Sequence, residues 1–313
     1  MQLISIVVPC YNEQESLPLF YKRVEQIMTE FNRHRDQFQW EYWFVNDGSS
    51  DESLKQMQYL HAANPEGVHY VNFSRNFGKE AALLAGLKAA QGDLVAVMDV
   101  DLQDPPELLP TMIETLIETD YDVVATKRSD RTGEPWLRSK LSQAFYHVIN
   151  HISQVQIVPG ARDYRLMRRQ VVQAIIDMPE YNRFSKGIFS WVGFKTKYLS
   201  FHHQDRVAGK THWSMRQLLD YSLEGIMDYS EVPLAIASWL GGLSFVGAIL
   251  GMLWIVFRAL LFGNPTAGWP SLVAIILMLG GLQLLCLGIL GKYVGRIYLE
   301  TKHRPQYLIK EQR

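Results

Sequence analysis

The chain has 313 residues, and its 31 basic side chains nearly match its 32 acidic ones, giving a formal net charge of -1. That balance offers no electrostatic footprint for nucleic acid, and the length admits one or two domains. The only cysteines, Cys10 and Cys286, cannot build a metal centre between them, and no disulfide is expected in a reducing compartment.

Met1 leads straight into a strand-like run at 4–9, with no N-terminal signal segment ahead of it. β-rich apolar runs predict further strands at 40–45, 68–72, 94–98 and 121–125. Helical periodicity predicts helices at 16–31, 53–63 and 79–90, with another beginning near Pro106. Such alternation argues for an α/β fold, a mostly parallel sheet covered by helices on both faces. The stretch 126–165 starts polar and basic and reads as a loop followed by a helix. Residues 213–229 place Trp213, Leu218, Leu219, Leu223 and Ile226 among polar neighbours, the pattern of an amphipathic helix lying in a membrane interface.

Two long runs follow. Residues 232–257 contain no charge and no histidine, and after Arg258 the run 259–291 is again uncharged. About 20 apolar residues cross the hydrocarbon core of a bilayer, so each run is long enough. Pro265, Gly268 and Pro270 interrupt the second, which leaves 269–290 as its expected span. The segment after it carries Lys292, Arg296, Lys302, Arg304, Lys310 and Arg313, whereas the connection between the spans holds only Arg258. The positive-inside rule then places both termini, and the first two-thirds of the chain, in the cytoplasm. The expected division is a catalytic region at 1–210, a juxtamembrane segment at 211–231, a transmembrane hairpin at 232–291 and a basic cytoplasmic tail at 292–313.

Three expected strands end in polar groups. The first gives Pro9-Cys10-Tyr11-Asn12-Glu13 and the second Asn46-Asp47-Gly48-Ser49-Ser50. The strand at 94–98 ends in Asp99-Val100-Asp101-Leu102-Gln103-Asp104, then Pro105 and Pro106. Asp99, Asp101 and Gln103 are hard oxygen donors suited to Mg²⁺ or Mn²⁺ shared with substrate phosphates. A bare D-x-D is equally a solvated acidic turn, and Asn12 and Ser49 equally suit helix capping. Taken together, the clusters occupy one edge of one sheet, where ligands of parallel α/β proteins collect.

These residues carry a resemblance. Residues 9–13, 46–50 and 99–106, with Arg75-Asn76-Phe77-Gly78-Lys79-Glu80, resemble family 2 glycosyltransferases of the GT-A, Rossmann-like fold. Asp163-Tyr164-Arg165-Leu166, Arg183-Phe184, the segment 206–213, the paired apolar runs and the ending Arg296-Ile297-Tyr298-Leu299-Glu300 narrow it. They resemble the polyprenyl-phosphate branch: dolichol-phosphate mannose synthases and, more closely, bacterial bactoprenol (undecaprenyl-phosphate) glucosyltransferases. Val100 stands where relatives often carry a small residue, and Thr211-His212 where they often carry Ser-Lys.

The resemblance implies an inverting, membrane-anchored enzyme in the inner (cytoplasmic) membrane that moves a hexose from a UDP-sugar to undecaprenyl phosphate. Glucose is favoured, with N-acetylglucosamine or another nucleotide-linked sugar as the alternative. It implies a metal held by Asp101 and Gln103, with Asp99 on the ribose or the metal. It implies a nucleotide-sugar pocket of Pro9, Tyr11, Glu13, Asp47 and Lys79, which Arg206 and Lys210 close. Arg128, Arg138 and Ser142 match lipid-phosphate contacts, with Arg131 near enough to assist, although a basic run beside a membrane also simply attracts anionic lipid. Asp163 matches the position that orients or activates the acceptor, and as a lone aspartate it could equally pair with Arg165 or Arg168. His202 and His203 have no partner at ligand spacing and read as structural. The implied partners are membrane lipid, a flippase and a downstream transferase, with room for a homo-oligomer and none for nucleic acid. A processive polysaccharide synthase is disfavoured because the Q-x-x-R-W signature is absent, and a non-catalytic nucleotide-binding protein because the donor, acceptor and metal motifs are all present.

Overall fold

A computed structural model describes residues 1–33, 35, 37–129, 150–151, 156–178, 180–202, 230, 232–262 and 268–313. The chain forms two compact units, one of Met1–Gly225 with Pro305–Arg313 and one of Ile226–Arg304. In the first, strands β1 (Gln2–Cys10), β2 (Phe38–Asn46), β3 (Val68–Phe73) and β4 (Leu94–Val97) alternate with helices α1 (Ser16–Asn32), α2 (Ser53–Ala63) and α3 (Lys79–Ala89). Helix α4 (Leu108–Glu118) leads to β5 (Val123–Arg128). Then come β6 (Ala161–Arg168), α5 (Arg169–Ile176), α6 (Ser185–Trp191), β7 (Thr196–Phe201) and, at the chain's end, β8 (Ile309–Gln312).

The eight strands form one sheet in the order β7-β5-β6-β4-β1-β2-β3-β8. β1 lies parallel to β2 and β4, β2 to β3, and β5 to β7. β6 runs antiparallel between β4 and β5, and β8 antiparallel along β3. Both faces of the central strands are covered, which is why Ile4, Ile6, Val7 and Val8 are all fully buried. On one face Ile4, Ile6 and Val8 join Leu17 and Phe20 of α1 and Met112 and Leu116 of α4 in the main core. On the other, α3 is apolar almost all round. A Cβ at its Gly86 would stand 2.3 Å from Val7 Cγ1, so glycine lets this helix lie flat on the sheet.

Of the segment 126–165, expected as a loop followed by a helix, residues 126–128 end β5, 150 and 151 are helical and 161–165 begin β6, while 130–149 and 152–155 lie outside the described residues. Charged Arg162, Asp163 and Arg165 had hidden the strand pattern. The segment 292–313, expected as a basic tail, divides: helix α8 (Trp269–Thr301) runs through its first ten residues, and β8 follows. The Tyr70 hydroxyl donates to Glu311 Oε1 at 2.6 Å, and the Tyr307 ring stacks on Phe73 with centroids 4.9 Å apart.

The second unit is built from α7 (Val232–Phe262) and α8, which contain the two expected apolar runs. Among the described residues, the stretches long and apolar enough to cross a membrane are Val232–Gly251 and Met278–Thr301, with mean hydropathies of 1.8 and 1.4, and neither is buried within the protein. The amphipathic segment expected at 213–229 lies outside the described residues, as do Arg131, Arg138, Ser142, Arg206, Lys210 and His203.

Candidate active site

The strand order reverses at β1: the chain moves from β1 outward through β2 and β3, then returns to place β4 on the other side. The crevice beyond the carboxyl ends of β1 and β4 is the topological switch point of the sheet. Because β6 runs antiparallel to β4, its first residues also arrive at this edge, and Arg128 closes β5 there.

The loops after β1 and β2 are laced together. The Asn12 backbone N–H donates to Ser49 Oγ at 2.9 Å, and the Ser50 N–H donates to Asn12 Oδ1 at 2.8 Å, so these side chains brace two loops and cap neither helix. The Glu13 N–H donates to Ser53 Oγ at 2.8 Å and its carboxylate accepts from Ser16 Oγ at 2.7 Å. Pro9 lies in β1 opposite Val45. Tyr11, just after β1, is exposed.

Asp47 is buried and anchors a third loop. Its carboxylate accepts the Phe77 N–H at 2.6 Å and the Gly78 N–H at 3.0 Å. That loop passes so close to Gly48, at φ 65°, that a Cβ would lie 2.3 Å from the Arg75 carbonyl carbon. Burial pushes the Asp47 carboxyl up to about 6, against the opposing pull of the two amides.

Lys79, the first residue of α3, joins two strands. Its Nζ lies 2.7 Å from Asp99 Oδ1 and 2.6 Å from Asp163 Oδ2. Burial alone would raise the Asp163 carboxyl, but the Lys79 ammonium, with Lys186 and Arg165 near, holds it well below the usual carboxylate range. The same carboxylates outweigh desolvation at Lys79 and keep the amine protonated. Of the two arginines open as partners, Arg165 donates to the Asp163 carbonyl at 3.2 Å, and Arg168 turns away to the Tyr121 carbonyl at 3.0 Å. The side chain of Asp163 goes to Lys79.

Asp101 is 6 % exposed, and its Oδ1 accepts the Gln103 N–H at 3.1 Å across a turn in which Leu102 has φ 56°. Asp99, Asp101 and Gln103 thus offer oxygen donors of the kind Mg²⁺ and Mn²⁺ take, and Lys79 already stands as a cationic partner of Asp99. Among the described residues no three His, Cys, Asp or Glu side chains form a metal cage.

Three features escaped the sequence. Asp104, 2 % exposed, accepts the Arg162 Nε at 2.8 Å. Glu80, beside Lys79, accepts both the backbone N–H of Ser185, at 3.1 Å, and its hydroxyl, tying α3 to α6. The Arg165 guanidinium lies 3.4 Å from the centroid of the Phe189 ring, also on α6. His202, expected to be structural, approaches Ser129 Oγ with its Nδ1 at 3.4 Å.

A mostly parallel sheet whose switch point gathers carboxylates, an ammonium and anchored loops marks this edge as the candidate ligand site of an α/β enzyme. The chain belongs to glycosyl transferase family 2, whose model matches residues 5–176. It is 44% identical over 312 residues to the bactoprenol glucosyl transferase of Shigella phage SfV, with 99% of each chain covered. It is 43% identical over 307 residues to a prophage bactoprenol glucosyl transferase homolog of Escherichia coli K12, with 98% of each covered. A putative glycosyltransferase of Bacillus subtilis, CsbB, is 42% identical over 310 residues, covering 99% of this chain and 92% of that one. The protein is a glycosyltransferase.

Proposed function

We propose that the protein transfers a hexose, glucose before other sugars, from a UDP-sugar to undecaprenyl phosphate with inversion at the anomeric carbon. One observation carries this: the Lys79, Asp99 and Asp163 trio stands at the switch point of a chain that matches bactoprenol glucosyl transferases from end to end. An acceptor phosphate oxygen forms a bond to the anomeric carbon while the bond from that carbon to the diphosphate breaks, and UDP leaves with the electron pair.

The acceptor needs little deprotonation, because a phosphomonoester has a second pKa of about 6. Asp163, held ionised by Lys79, has the task of orienting the acceptor, and Lys79 offers positive charge to the phosphates between the strand ends. Pro9, Tyr11, Glu13 and Asp47 would line the nucleotide. Arg206 and Lys210 would close over the diphosphate, and Arg128, Arg131, Arg138 and Ser142 would take the lipid phosphate. Asp99, Asp101 and Gln103 would hold Mg²⁺ or Mn²⁺, which supplies Lewis-acid neutralisation of the leaving diphosphate.

Helices α7 and α8 would anchor the enzyme. Trp239, Phe245, Trp254 and Leu284 are all more than half exposed, a surface that suits lipid rather than water. The chain leaves the sheet before α7 and rejoins it as β8 after α8, and this connectivity calls for an even number of crossings. The Lys and Arg bias of the flanks supports a cytoplasmic sheet. The product would be a lipid-linked sugar for a flippase and a second transferase that decorates a surface polymer. The test incubates membranes containing the protein with a panel of labelled UDP-sugars, with and without undecaprenyl phosphate. Acceptor-dependent label in the organic phase is expected, and label that ignores the acceptor would overturn the proposal.

A further inference from the structure

The ion pair between Asp104 and Arg162 is built in an unusual way. Asp104 is buried, yet it meets Arg162 through one contact only, Nε to Oδ1 at 2.8 Å. Its Oδ2 is buried with no hydrogen-bond partner. A pair that served only to cancel charge would gain by lying side-on, with two parallel N–H···O bonds. A buried oxygen left without a donor calls for an explanation. Here the single contact grips the guanidinium by its inner nitrogen. Its two terminal nitrogens make no hydrogen bond among the described residues, and the Arg162 side chain remains 33% exposed. Arg162 directly precedes Asp163 at the crevice edge, and the carboxylates of Asp99 and Asp163 act on its charge as well.

We propose that Arg162 is a phosphate-binding residue of the reaction centre, its terminal fork held towards the substrate by the positioning residue Asp104. The fork suits two oxygens of one phosphate, a geometry that lysine does not reproduce. The phosphate belongs either to the donor diphosphate or to the lipid acceptor, and the inference rests on the transferase reading only for the second.

The experiment measures UDP affinity by calorimetry and the undecaprenyl phosphate dependence of transfer in wild type, Arg162→Gln, Arg162→Lys and Asp104→Asn. A hydrogen-bonded charge on phosphate predicts a loss of about tenfold or more in Arg162→Gln. Weakened UDP binding assigns the fork to the donor; a raised acceptor KM at unchanged UDP affinity assigns it to the acceptor. Arg162→Lys, which keeps the charge beside Asp104, should fold like the wild type and lose part of the same quantity. Asp104→Asn should lose part of it too, and little more when added to Arg162→Gln. UDP affinity and acceptor KM both within about twofold of wild type in the arginine variants would overturn the proposal and leave Arg162 a counter-ion. A wild type that binds UDP through Arg162 but ignores undecaprenyl phosphate would sink the acceptor reading and leave the donor site standing.

Discussion

Lys79 Nζ lies 2.6 Å from Asp163 Oδ2, a contact that crosses from the start of α3 to the start of β6. With Asp99 on its other side, the ammonium keeps two carboxylates compatible in one crevice. Lys79→Met would leave those charges facing each other. A preorganised charge in a reaction centre is worth about a hundredfold or more in rate. Transfer in Lys79→Met should fall by that order while Lys79→Arg keeps a measurable part. Wild-type turnover in Lys79→Met would reduce the ammonium to a structural tie.

Asp47 gives a pH dependence with a definite sign. Burial raises its carboxyl from an ordinary 3.8 to about 6 in the folded protein. The folded state therefore favours the protonated form. The associated stability is fully present below about 3.8 and is lost as pH rises through about 6. Under the proposed function donor binding runs the other way, because protonation removes an acceptor from the proposed nucleotide pocket. UDP affinity should fall as pH drops below about 6, and Asp47→Asn should flatten that fall. An unchanged pH profile in the variant would assign the titration to another group.

The return of the chain as β8 predicts that the terminal residues stabilise the sheet. The Tyr70 N–H donates to the Arg313 carbonyl at 3.1 Å and the Ser74 N–H to the Leu308 carbonyl at 3.0 Å. Ending the chain after Arg304 removes these bonds and the Tyr307 stack, and it bares the edge of β3 to other chains. The melting temperature should drop by about 5 °C or more, with a rise in aggregation. Equal melting of the shortened and full chains would contradict a stabilising role for β8.

Membrane topology is open to thiol labelling once Cys10 and Cys286 are replaced. A cysteine at 264, between α7 and α8 in the chain, should react with an impermeant reagent on intact cells. One at Lys310, an exposed position on β8, should react only after lysis. Lys310 suits the purpose better than Glu311, which is engaged by Tyr70. Labelling at 310 in intact cells would reverse the orientation.

The β1–β5 half of the fold was legible because each strand is a short apolar run bounded by turn residues, and α2 spans the expected 53–63. Lys79, Asp99 and Asp163 were legible singly. Their convergence was not, because it depends on β6 running antiparallel beside β4. β6 itself was hidden by four charged residues, each engaged by a partner distant in sequence: Asp104 for Arg162, Lys79 for Asp163, the Phe189 ring for Arg165 and the Tyr121 carbonyl for Arg168. β8 was hidden for a similar reason. A polar Ile-Lys-Glu-Gln run reads as tail until a strand 241 positions earlier supplies its ladder.

The most direct test compares lipid-linked sugar formed by wild type, Asp101→Asn and Asp163→Asn in membranes of matched protein content, using labelled UDP-glucose and undecaprenyl phosphate. Both substitutions keep the side-chain shape and remove one charge from the crevice. Loss of a charged group at the reacting centre predicts a fall of roughly a hundredfold or more for each, with chelation of divalent cations silencing the wild type. Transfer within about twofold of wild type in both variants would contradict the assignment of this strand-end crevice as the site of glycosyl transfer.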